Sequence, residues 1–167
     1  MTASIRLALL LLLCAPLASR AGDEAKWRYP APPSIRSVTL GSPLSLVLKE
    51  MGQPLQRIAL PPSEMGRPAS QDLVYDGFTL GVYPTRQGDE PHVWSVRVTG
   101  TGVVVYPGVT IGMTKEELVH LLGKPNSDEA REDAQWMFWA VPEPVGMFHV
   151  RLSNGRIIEF SMLEDWS

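Results

Sequence analysis

The stretch from Val109 to Pro125 reads Val-Thr-Ile-Gly-Met-Thr-Lys-Glu-Glu-Leu-Val-His-Leu-Leu-Gly-Lys-Pro. It constrains the fold more than any other, because both ends of a short helix are written into it. Thr114 as N-cap with Glu117 three residues on is a capping box, in which each side chain satisfies a free backbone N–H near the helix start. Met113 and Leu118 supply the matching hydrophobic staple, and Glu116 and Glu117 sit where the helix dipole favours negative charge. Leu118, Leu121 and Leu122 recur at helical spacing as one apolar stripe. Gly123 can adopt the positive φ that closes a helix, and Pro125 forbids its continuation. Such a helix, roughly two and a half turns long, is unstable alone, so its stripe must dock on something.

A weaker copy of this stretch lies 71 residues upstream, with Gly41 matching Gly112, Gly52 matching Gly123 and Pro54 matching Pro125. There Ser42 precedes Pro43, a serine cap with proline at the first helical position. Leu44, Val47, Leu48 and Met51 form the stripe. The matched Gly, Gly and Pro at one offset point to an internal duplication, with repeats at residues 37–107 and 108–167.

The first 21 residues have the form of an export signal. Arg6 provides a positive start, Leu7 to Leu13 an unbroken apolar run, and Ser19-Arg20-Ala21 a small-x-Ala cleavage site. The run is too short to span a membrane. Cys14 raises the possibility of a lipid anchor, but Leu13 stands where lipoprotein signals carry a small residue, so simple export to the periplasm or medium is the reading. Cleavage after Ala21 would leave a chain with no cysteine, held together by packing alone. That chain has 13 basic and 18 acidic residues, a balance that provides no basic stripe for nucleic-acid phosphates.

Residues 22–36, with Pro30, Pro32 and Pro33, read as a tether. Residues 59–70 read as a long loop rich in proline and glycine. Asp76-Gly77 and Asn154-Gly155 are the preferred two-residue hairpin turns, and β-rich segments flank each. His92 to Thr99 alternates as a strand with Trp94, Val96 and Val98 inward and Ser95 and Arg97 outward. Strands are expected at 135–141, 147–153 and 156–162, and the acidic stretch 126–134 between helix and strand reads as a solvated face. The sum is an α+β fold, a tandem repeat of a short helical segment followed by an antiparallel β-sheet, with the helices packed on one sheet face.

Ile111-Gly-Met-Thr-Lys-Glu-Glu-Leu118 with Leu122-Gly-Lys-Pro125, followed by Trp136 to Trp139 and a closing hairpin, resembles the SmpA/OmlA lipoprotein family. That resemblance covers about 55 C-terminal residues and implies a small helix-plus-sheet domain that assists outer-membrane barrel assembly. A tandem of such units is similar to the β-lactamase inhibitory protein architecture, and implies a sheet surface presented to a partner enzyme.

The chain has little that points to catalysis. His92, His120 and His149 are scattered, no HExxH or Cys–His cluster calls for a metal, and no Gly-x-Ser-x-Gly elbow is present. No cofactor or metal is expected, and a hydrolase would need converging carboxylates or a histidine pocket. The informative oddity is Trp136-Met-Phe-Trp-Ala-Val141, apolar on both faces. If Trp136 and Phe138 face the helix, then Met137, Trp139 and Val141 point to the far side, where a half-solvated strand would be polar. Either the other repeat or the proline-rich segment covers that side, or it binds a partner. The binding reading groups Met137, Trp139, His149, Arg151 and Glu159, with Tyr83 and Arg97 as counterparts in the first repeat. The expected partner is another envelope or secreted protein, held as an inhibitor or immunity-type protein holds an enzyme.

Overall fold

The two turn dipeptides close the hairpins they announce. In the computed structural model, which describes residues 27–62, 68–86, 88–131, 134–141 and 146–164, Asp76-Gly77 joins β2 (Ser70–Tyr75) to β3 (Phe78–Tyr83). Asn154-Gly155 joins β9 (Gly146–Ser153) to β10 (Arg156–Leu163). Asn154 and Gly155 both have positive φ, 50° and 71°, as a type I′ turn demands. The export signal expected at 1–21 lies outside the described residues.

Around these hairpins the chain builds one continuous ladder. The remaining strands are β1 (Gln56–Leu60), β4 (His92–Val98), β7 (Ser127–Arg131) and β8 (Ala134–Val141), and the sheet order is β1-β2-β3-β4-β10-β9-β8-β7, antiparallel throughout. A small hairpin, β5 (Val104–Val105) with β6 (Val109–Thr110), stands apart. The helices are α1 (Leu44–Met51) and α2 (Lys115–Leu122), eight residues each. This overturns the expected tandem of helix-plus-sheet repeats. The described residues form a mostly-β fold with one eight-stranded sheet, because β10 pairs with β4 (Phe160 opposite Val98, Met162 opposite Val96) and merges the halves.

A single core lies on one face of this sheet. Val47 of α1 and Leu118 and Leu122 of α2 join the inward residues Leu73, Leu80, Val96, Val98, Met137, Trp139, Phe148, Val150 and Phe160 in one buried cluster. The capping box of α2 is formed: Thr114 Oγ1 accepts from the Glu117 N–H and a Glu117 carboxylate oxygen accepts from the Thr114 N–H. The expected Ser42 cap of α1 is not. Ser42 Oγ accepts from the Thr39 N–H instead, and the free N–H groups of α1 are met from the β3–β4 connection, Leu44 by the Pro91 carbonyl and Ser45 by Glu90 Oε1 at 2.7 Å.

The described part of the proline-rich segment is packed rather than loose. Trp27 is buried and meets Phe148 edge-on at 5.9 Å. Arg28 and Tyr29 donate to the carbonyls of His120 and Leu121 in the last turn of α2. These are carbonyls the helix itself leaves without partners.

Candidate functional site

Antiparallel pairing lines up side chains of adjacent strands in rows that cross the sheet, with neighbours in a row about 4.8 Å apart. On the sheet face opposite the helices, one row crosses all eight strands: Gln56, Val74, Thr79, Arg97, Ser161, His149, Phe138 and Ser127. A second row holds Glu159, Arg151, Trp136 and Glu129. A third runs through Asp72, Gly81, Ser95, Leu163 and Met147. Among the described residues no helix or strand packs over these rows.

Side chains at the β8–β9 end form a ladder of aromatic and cationic groups. The Arg151 guanidinium lies 5.8 Å from the centre of the Trp136 ring and 3.3 Å from Glu159 Oε2. Phe138 meets the His149 ring edge-on at 4.8 Å, and Arg131 lies over Phe138 at 5.6 Å. Trp136 and Phe138 are near-parallel, 13° apart. Burial, aided by the positive charge of Arg131, holds the His149 imidazole below its ordinary pKa of 6.5. His149 Nε2 and Arg151 Nε are buried with no hydrogen-bond partner among the described residues. Such a group costs free energy until something pairs with it.

Two β-bulges decide who joins this face. Between β3 and β4, Gly81 faces Ser95 but Val82 faces Val93, leaving Trp94 as the extra residue. Trp94 is thereby turned away from the core to which simple alternation assigns it, and its indole lies over Gly81, where a Cβ would come within 2.6 Å of Nε1. In β10 the register shifts between Ile157 and Glu159, so that Ile157 stays in the core while Glu159 meets Arg151 across the strands.

The expected site residues divide accordingly. Arg97, His149, Arg151 and Glu159 share the helix-free face, and Arg151 and Glu159 form the ion pair. Tyr83 is on that face at its far end, mostly buried, donating to Glu164 Oε2 at 3.1 Å and lying 4.4 Å from the His92 ring. Its hydroxyl is pushed up to about 12 by burial and by Glu164. Met137 and Trp139 do not belong to the surface. Both are fully buried on the helix side, where Trp139 Nε1 donates to the Gly123 carbonyl at 3.1 Å. Pairing explains the reversal: Met137 is opposite Val150 and Trp136 opposite Arg151, so Trp136 and Phe138 share a face with the polar residues of β9. The packed proline-rich segment, led by Trp27, covers the side that holds Trp139. Trp136, Phe138 and Arg131 are the residues that sequence reading missed, and the alternation of His149 and Arg151 in the neighbouring strand was the signal for the first two.

No family model matches the sequence, and no curated protein matches it. Among solved structures the chain is similar to an extracellular protein containing an SCP domain from Bacillus anthracis str. Ames, with a TM-score of 0.53 at 15% identity. The likeness covers 84% of this chain and 50% of that one, so this chain spans about half the length of its structural neighbour. At that identity it speaks to fold alone. No helix among the described residues is long and apolar enough to cross a membrane.

Proposed function

We propose that this chain is an exported, non-catalytic protein-binding module that holds a partner protein against the helix-free face of its sheet, as an inhibitor or immunity-type protein would. The observation that carries the reading is the ladder of Trp136, Phe138, His149 and Arg151 on a face that no described element covers. Tryptophan and arginine supply the energetic centres of protein interfaces. The titratable groups of this face lie side by side in flat rows rather than converging on one point, a layout suited to contact more than to proton transfer. Export rests on the pattern of Arg6, Leu7 to Leu13 and Ser19-Arg20-Ala21.

The test is affinity capture from envelope and secreted fractions with wild type and the Trp136→Ala/Arg151→Ala double variant, both shown folded by circular dichroism. The variant is expected to lose the protein that wild type retains, and hydrogen exchange in the wild-type complex should slow along β8, β9 and β10. Equal capture by the folded double variant sinks the reading. A captured barrel-assembly component would put the envelope-assembly role of the SmpA/OmlA-like segment in place of inhibition.

A further inference from the structure

Beside the aromatic ladder, the same face carries a groove of about 280 Å³ whose lining includes Asp72, Thr79, Trp94, Arg97, Glu159 and Ser161. The Trp94 indole and the Ser95 hydroxyl fill the space over Gly81, which brings no side chain of its own, and both stand in the groove's lining. Arg97 is exposed and sits in its row between Thr79 and Ser161, a hydroxyl on either side. Among the described residues Arg97 makes no ion pair, whereas Glu159 in the same lining is neutralised by Arg151. The uncompensated charge nearest the middle of the groove is therefore positive. Asp72 stands two strands away in the adjoining row, roughly 10 Å across the sheet.

We propose that this groove receives one acidic side chain of the partner protein, its carboxylate seated on the Arg97 guanidinium with the Thr79 and Ser161 hydroxyls donating from both sides. A guanidinium fork matches a carboxylate in shape as well as charge. With Glu159 held by Arg151, one guanidinium is left to meet the occupant, which matches a single negative charge better than the two of a dianionic phosphate. Asp72 repels a second acid at the far end, so the groove selects a single acidic residue rather than an acidic run. The inference rests on the helix-free face being the binding face.

N-acetylglutamate α-amide, a single carboxylate on a peptide-like stem, is the probe, titrated into the labelled protein and followed by amide NMR shifts. Shifts are expected at Thr79, Arg97 and Ser161, saturating in the millimolar range, with none from the neutral glutamine analogue. Arg97→Gln should weaken binding at least about tenfold, Thr79→Val should weaken it less, and Glu116→Gln, exposed on α2 away from this face, should leave it unchanged. Shifts located elsewhere, or unaltered by both Arg97→Gln and Thr79→Val, overturn the groove assignment. If the probe ignores Arg97 while the Trp136/Arg151 variant still loses its partner, the groove proposal alone falls. If that variant keeps its partner, the binding-face reading falls with it.

Discussion

Trp136 and Trp139, three residues apart in β8, show how far position outweighs residue type. Trp139 is fully buried and hydrogen-bonded to the Gly123 carbonyl, so Trp139→Ala leaves a large cavity and an unpaired acceptor. Chemical denaturation should find it less stable by about 3–5 kcal/mol. Trp136→Ala, on the half-exposed face, should cost about 1 kcal/mol or less while removing partner capture. His149 gives the residue scale a pH dependence. Its folded pKa is depressed, chiefly by burial, so below 6.5 the unfolded chain takes up a proton that the native imidazole still refuses. Native stability on this account falls as pH drops from 6.5 towards the lower folded value, and the slope ends once both states are protonated. Denaturant midpoints measured across that interval should fall with acid in wild type and fall less in His149→Gln.

Among the elements, the two helices differ in where their ends are secured. α2 carries its own capping box, so Thr114→Ala should lower stability by about 1 kcal/mol in thermal or denaturant unfolding. α1 begins at Pro43 without a side-chain cap, and Glu90 and Pro91, more than 40 residues later in sequence, meet its first N–H groups. No local pattern could announce that. The unforeseen strands β1 and β7 are the two edges of the sheet, with sequences Gln-Arg-Ile-Ala-Leu and Ser-Asp-Glu-Ala-Arg. Edge strands tolerate polar residues because one side of the ladder faces solvent, and charge there discourages sheet-to-sheet association. β7 therefore reads locally as a solvated acidic stretch; only pairing with the apolar β8 makes it a strand.

At the scale of the whole molecule, the contacts between β4 and β10 turn two halves into one sheet, and the segment beginning at Trp27 closes the helix side of the core. Trp27 packs against Phe148, which in turn meets Trp139 and Phe160. Trp27 thus shares one core with β8, β9 and β10. Trp27→Ala should then lower the midpoint of a single cooperative unfolding transition, by about 3 kcal/mol in stability, rather than free a local segment. A separate low-temperature transition in that variant would show that the segment is not part of the common core.

What the sequence by itself determined is what short-range chemistry can write. The capped helix at 114–122, the glycine stops and the two hairpin turns each depend on residues within a few positions of one another. Fold class, the identity of the edge strands and the membership of the binding face were settled only in three dimensions. Two bulges and one strand pairing shift side chains between faces of the sheet, and with a side-chain period of two a one-residue step moves a tryptophan from surface to core. That step is set by cross-strand partners such as Arg151 opposite Trp136, whose meeting no reading along a single strand can decide.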